Sequence, residues 1–400
     1  MTKLLNKIGP GLLVAAAGIG AGDMIMGIQI GFQFRWLFVL AILLACILKY
    51  TITEGIAKHQ LASGKSVIQR WNETMPLGIR LLFLSFLLIW SFMVGGALLS
   101  ATGLAANALF PQLSIHSWAL LQSLLACALV YWGHYGLVEN ITRLLVGLMF
   151  FILIPMAIFL LFQDCPPQNT KLAVEHIEPV TMIMAILGGV GGSVTMLSYG
   201  GWLKERKWTG STYFSDVKTD LIFSYAITGL FLFALVGIAS QIESPAEISG
   251  SKLIFLVGQT MAKHFGEWAD YFFKICFWGV VFSSVLTVWS GVPYLFSDFS
   301  EGFAKKDIDK SSSGPTYRIF LLMLSLAPLF LVYTQNTLRN VINYTLISSV
   351  FVAGISLNLL FINNKKEWVG QFRNNSLTKA ALWLSTIAFS LLLIWQVFQK

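Results

Sequence analysis

Charge is what this 400-residue chain has least of: Asp, Glu, Lys and Arg together make up 12%, against about 25% in an ordinary soluble domain. That scarcity, with 56% hydrophobic residues, excludes a soluble globular enzyme and a disordered chain. Cysteine is scarce too: four are present and none forms a CxxC pair, which excludes a disulfide scaffold and the common zinc and redox motifs. Cys46, Cys127 and Cys276 lie in apolar runs and read as small buried hydrophobes, and Cys165 lies in an outer loop. The short alternating segments of a membrane β-barrel are missing. No HExxH pattern, nucleotide loop or Ser/His/Asp constellation is found. The chain is therefore not read as an enzyme, and no cofactor is expected.

What is there instead is length of apolar run. A helix needs about 20 apolar residues to cross the hydrocarbon core. Eleven segments qualify: 9–32, 36–57, 78–102, 117–133, 142–162, 177–202, 217–240, 269–297, 318–334, 338–362 and 379–398. The expected fold class is an all-α polytopic membrane protein, a single transmembrane domain over 1–400. The first run carries Asp23 and leads straight into a second span, so it is not read as a cleaved signal peptide.

The basic residues set an expected orientation. With the N-terminus in the cytoplasm, 19 of the 27 Lys and Arg fall on cytoplasmic segments and six (Arg35, Lys171, Lys252, Lys263, Arg339 and Lys400) on outer ones; Lys49 and Lys274 lie within spans. Basic residues favour the cytoplasmic side, so the N-terminus is expected inside and the C-terminus outside. The net charge of +8 then reads as a topology signal facing anionic lipid, not as a nucleic-acid surface. The lack of a transit-like leader makes a bacterial inner (plasma) membrane the simplest location. The oligomeric state stays open, and a monomer is compatible with the sequence.

Two spans look broken. The first holds Gly18, Gly20 and Gly22 followed by Asp23; the sixth holds Gly188, Gly189, Gly191 and Gly192 followed by Ser193 and Thr195. Each glycine costs a helix interior about 1 kcal/mol relative to Ala. Unwound backbone at membrane depth must be buried in protein or line a cavity. Interruptions at corresponding positions of two halves point to a transporter binding site. Spans one and six are five apart, as in a 5+5 inverted repeat (first repeat about 9–162, second about 177–362) with an extra helix at 379–398. The competing reading is tight helix packing, because Gly18–Gly22 and Gly188–Gly192 both fit GxxxG. The acid beside the first break tips the balance toward a site.

At these residues the sequence resembles the Nramp divalent-metal transporters. The resemblance is carried by Gly9-Pro10-Gly11 with Gly20-Ala21-Gly22-Asp23, by Leu61 to Val67, by Leu187 to Val194, and by Ser283 to Thr287 with Gly291. It implies the LeuT-type (amino acid–polyamine–organocation) fold, with broken helices 1 and 6. It also exposes departures. Where the family has Asp-Pro-Gly-Asn, this chain has Gly20-Ala21-Gly22-Asp23, so the acid is displaced by three residues. Where the family has Met-Pro-His, it has Thr195-Met196-Leu197. Acids that the family associates with proton movement match Gly95 and Leu98.

Candidate substrate ligands are therefore Asp23, Ser193 and Thr195 with backbone at Gly20, Gly22 and Gly191; a metal would be held by Asp23, Gly20 and Thr195. This is an all-oxygen set, which suits Mg²⁺, Ca²⁺ and Mn²⁺. The expected activity is a secondary transporter for a divalent cation, of the Mg²⁺ or Mn²⁺ class, working by alternating access. Coupling to H⁺ is in doubt without the third-span acids. The alternative is a small organic solute, an amino acid or amine, whose ammonium Asp23 would bind. Ser283, Ser284, Thr287 and Ser349 are candidate cavity residues. Glu54 and Asp220, with Lys49, Glu139, Arg143 and Asp298, are candidates for an inner gate or for structural ion pairs near helix ends. The five histidines lie in or near loops and are not expected to ligate metal.

Overall fold

The computed structural model describes residues 9–133, 135–163, 173–174, 179–242, 247–248, 252–304, 314–334 and 337–398. Cys165, His134 and His176, and the basic residues Lys3, Lys7, Lys171, Lys305, Lys306, Lys310 and Lys400, fall outside them.

Nearly everything described is helical. The helices are α1 (Pro10–Gly18), α2 (Ala21–Phe34), α3 (Val39–Ser63), α4 (Val67–Thr74), α5 (Leu77–Leu109), α6 (Ile115–Trp132), α7 (Tyr135–Leu161), α8 (Pro179–Gly189), α9 (Ser198–Glu205), α10 (Phe214–Ala239), α11 (Lys252–Phe265), α12 (Glu267–Ala304), α13 (Pro315–Leu326), α14 (Leu329–Thr334), α15 (Thr337–Ile362), α16 (Lys366–Val369) and α17 (Ser376–Phe398). One two-residue parallel pairing, Ala173–Val174 with Glu247–Ile248, joins two connections.

Among the described residues nine helical runs are long and apolar enough to cross a membrane. One of them, Ala21–Ser63, contains both α2 and α3, separated where Arg35 takes a left-handed φ of 52°. With α17 the count agrees with the eleven segments read from sequence. The ninth span is interrupted between α13 and α14 at Ala327-Pro328, since proline lacks the N–H to continue a helix. The helices α4 and α11 were not anticipated. The α4 start is a capping box, Ser66 accepting from the Gln69 N–H and Gln69 answering at the Ser66 N–H. Asp298 of α12 then anchors this turn through Ser66 (2.5 Å) and Gln69 (3.2 Å).

The outside of the bundle is apolar: Leu40, Leu82, Leu144, Phe151 and Leu377 are exposed. The polar residues face inward, with Asp23, Lys49, Glu139 and Asp220 all buried. This inversion is what a lipid solvent selects.

Candidate functional site at two broken spans

The first span stops at Gly18 and restarts at Ala21, with Gly20 in an extended conformation. The sixth leaves the helix at Gly189; Val190 still donates to the Ile186 carbonyl (2.9 Å) and Gly192 to that of Gly189 (3.3 Å), and the chain resumes as a short 3₁₀ turn and α9. Gly191 and Gly192 both lie in the left-handed region, at φ 68° and 88°, where an L side chain is strained. The two breaks touch backbone to backbone: a Cβ on Gly18 would lie 2.5 Å from the Gly191 Cα and the Gly192 nitrogen. The glycines thus serve both readings raised by the sequence, since they unwind the spans and let them approach.

Asp23 sits in the first turn of α2 and is 1% exposed. Its Oδ2 faces the Gly191 N–H at 3.5 Å, a long contact, and its Oδ1 has no hydrogen-bond partner. A buried carboxylate oxygen without a partner is costly. The start of α2, where backbone N–H groups are unspent, partly offsets that cost.

The carbonyls of the sixth-span break are already in use. Lys49, wholly buried in α3, donates from Nζ to the Gly188 carbonyl at 3.1 Å and to the Gly192 carbonyl. Tyr225 of α10 donates to the Gly191 carbonyl at 3.2 Å and is 2.7 Å from the Thr53 hydroxyl. At the first break, Ser284 of α12 donates to the Ala16 carbonyl and, at 3.3 Å, to that of Ile19. The Gly20 carbonyl accepts the Met24 N–H at 3.0 Å, and Gly22 packs against the Tyr344 hydroxyl. Ser193 and Thr195 are both 3% exposed just beyond the break, and the Thr195 hydroxyl would lie 3.0 Å from a Cβ at Gly192. The structure therefore brings Asp23, Gly20, Gly191 and Thr195 into one region.

The candidate cavity hydroxyls divide. Ser284 reaches the first break. Ser283 turns back to the Val280 carbonyl (2.7 Å), Thr287 to those of Ser283 and Ser284 (both 3.0 Å), and Ser349 to that of Leu346 (2.7 Å). Ser349 nonetheless backs onto the break, 3.1 Å from a Cβ at Gly188.

A second cluster lies at the start of α1. Asp220 accepts the N–H groups of Gly9 (2.9 Å) and Gly11 (2.6 Å) and the Tyr199 hydroxyl (2.9 Å). It therefore caps a half-helix whose N–H groups would otherwise be unpaired. Glu139 pairs with Arg143 (2.5 Å) and Arg206 (3.4 Å), and Glu54 with Lys58 (3.0 Å) and Lys218 (3.9 Å). His59 departs from the loop placement expected of it: it is buried within α3, 3.3 Å from the Asn363 amide oxygen.

Sequence reasoning missed Tyr225, and it gave Lys49 as an inner-gate or ion-pair candidate and not as a partner of the break. Lys49 read as a charge near a helix end, yet α3 runs from Val39 to Ser63 and puts it mid-helix, where snorkelling is out of reach. Tyr225 gave no signal, because one tyrosine in an apolar span is ordinary.

Comparison with known proteins agrees with this architecture. Residues 11–399 match the family model described as natural resistance-associated macrophage protein-like. The chain is 24% identical to the divalent metal cation transporter MntH of Pediococcus pentosaceus, over 99% of this chain and 92% of that one. It is 20% identical to an uncharacterized Pasteurella multocida protein, over 97% and 92% respectively. A crystal structure of the Eremococcus coleocola manganese transporter superposes with a TM-score of 0.74 at 15% identity, covering 98% of this chain and 86% of that one. The chain is a polytopic membrane protein of LeuT-type fold, and it belongs to the Nramp family.

Proposed function

We propose that the chain is a secondary transporter that carries a divalent metal cation, of the Mg²⁺ or Mn²⁺ class, across the membrane by alternating access. The observation that carries this reading is the Asp23 carboxylate, buried at the meeting of two broken spans with one oxygen unpartnered. Ser193, Thr195 and backbone at Gly20 and Gly191 would supply the other oxygens, the Gly191 carbonyl on release from Tyr225, and among the described residues no group of three or more His, Cys, Asp or Glu gathers to hold a metal. Mg²⁺ and Mn²⁺ tolerate such a site by retaining water. The relatives named as a divalent metal cation transporter and a manganese transporter support the cation class.

Hydrogen bonds suggest what moves. Lys49 ties span two to span six, Tyr225 ties span seven to spans two and six, and Asp220 ties span seven to span one. Spans 1, 2, 6 and 7 are thus bonded into one bundle. That bundle also bonds to the remainder, through Ser284, Tyr294 with Glu205 (2.5 Å), Glu139 with Arg206, Asn363 with the Gly55 carbonyl (2.8 Å) and with His59 (3.3 Å), and Gln241 with the Leu160 carbonyl (3.2 Å). Rocking of this bundle would open the site to each side in turn. Transport is uncoupled from protons in this reading: Gly95 and Leu98 carry no acid, and a Cβ on Gly95 would already lie 2.5 Å from Pro328. The chain is placed in a bacterial plasma membrane, N-terminus inside and C-terminus outside, as a transporter and not an enzyme.

One observation favours the organic-solute alternative: a carboxylate and a buried ammonium at the same break could receive a zwitterion. Against it, two of the three Lys49 donors are spent on backbone. The test is flux into proteoliposomes of Mn²⁺, Mg²⁺ and Ca²⁺, with L-amino acids as competitors. Saturable Mn²⁺ or Mg²⁺ uptake supports the cation, whereas uptake of amino acid with no divalent flux assigns the alternative.

A further inference from the structure

The C-terminal end of a helix is a cation site in waiting, because its last carbonyls have no intrahelical partner and carry the negative end of the dipole. At the end of α8 that position is filled from within the chain. The Lys49 stem runs along the break, its Cβ 3.8 Å from a Cβ at Gly191, and its ammonium donates to the Gly188 and Gly192 carbonyls. Gly192 adopts φ 88°, a conformation that favours glycine. The third carbonyl of the break, that of Gly191, is turned to Tyr225. A lysine with no exposed surface in the middle of a span is expensive, and a carboxylate would be the usual partner. Here both contacts are backbone oxygens, the coordination that a small monovalent cation receives.

We propose that the sixth-span break is a monovalent-cation site occupied permanently by the Lys49 ammonium, a tethered ion that holds the unwound backbone in shape. Removing the side chain leaves a space the size of an alkylammonium group, lined by the Gly188 and Gly192 carbonyls. The site is thereby opened to ammonium, methylammonium or an alkali cation from solution. Lys49 is a positioning residue for the transport described above. This inference rests on that reading only for its functional meaning, since the site is tested without any transported metal.

The experiment is thermal unfolding of the purified full-length chain in detergent, free of divalent ions. Wild type, Lys49→Ala and Lys49→Gln are each titrated with ammonium, methylammonium, sodium or potassium chloride against choline chloride at constant ionic strength. Lys49→Ala is expected to melt several degrees below wild type in choline. It should recover saturably with at least one small cation, as a ligand bound only by the folded state requires; wild type should not respond. Lys49→Gln keeps amide donors for the carbonyls and fills the space, so it should melt above Lys49→Ala in choline and gain nothing from added cation. Equal behaviour of Lys49→Ala in choline and in all four small cations overturns the proposal, as does a matching response of wild type. If Lys49→Ala does not fold in choline, purification in methylammonium decides: folding there supports the tethered ion, and failure in every cation contradicts it. Divalent flux, measured separately, can succeed or fail without altering this outcome.

Discussion

The Tyr225 hydroxyl reaches from the seventh span to the Gly191 carbonyl, 3.2 Å away, and lies 2.7 Å from the Thr53 hydroxyl of the second. One phenol thus fastens three helices around the unwound segment. Tyr225→Phe should leave the Gly191 carbonyl buried and unmet, at a cost of about 1–3 kcal/mol. The expected result is a lower melting temperature and reduced flux with an unchanged oligomeric profile. A melting temperature equal to wild type would show that water or a neighbour meets that carbonyl instead.

The contact between the breaks leaves no room for a side chain at Gly18. A Cβ there would meet Gly191 and Gly192 backbone at 2.5 Å, and backbone does not give way as a side-chain tip does. Gly18→Ala should abolish transport. Gly354→Ala, which adds a Cβ with nothing within 4 Å, should transport at the wild-type rate. Comparable flux in both variants would mean that the spans do not touch in the working protein.

Asp220 acts on the other end of α1. Replacement by Ala removes the acceptor for Gly9, Gly11 and Tyr199 together, which should cost at least the roughly 0.5–2 kcal/mol of an ordinary N-cap. Asp220→Asn keeps one acceptor oxygen and should fall between Ala and wild type. The measurement is thermal stability of the three proteins side by side. An Asn variant no better than Ala would indicate that the charge, not the hydrogen bonding, supports the half-helix.

The absence of acids at Gly95 and Leu98 predicts metal flux without proton movement. Interior pH recorded alongside Mn²⁺ uptake, under conditions that clamp the membrane potential, should stay constant. Acidification in step with uptake would point to a proton path that avoids the third span.

Much of this was legible in the residues. The eleven spans announce themselves because apolar length has few other uses, and the breaks because glycines recur at one- and two-residue spacing in otherwise apolar helices. Asp23 was legible for the same reason: an acid beside a break has few roles. Lys49 was not, since its meaning depends on which helix end it faces, and span two meets the end of α8 only after the chain has folded. The serines of α12 illustrate the converse. Ser283, Ser284 and Thr287 were indistinguishable by pattern, yet only Ser284 donates to the first break, while the hydroxyls of Ser283 and Thr287 bond to their own helix. The α4 capping box, Ser66 with Gln69, was readable in principle, as a serine followed three residues later by a glutamine.

Asp23 carries the central claim, and divalent flux in proteoliposomes tests it most directly. Wild type should take up Mn²⁺ or Mg²⁺ saturably. Asp23→Ala should lose that uptake by on the order of tenfold or more, the factor that about 1.4 kcal/mol of lost binding produces, with the folded fraction unchanged. Asp23→Asn should lose most of it as well, because an amide supplies an oxygen but no charge. Wild-type uptake by Asp23→Ala would contradict the account and remove the metal from the junction of the two broken spans.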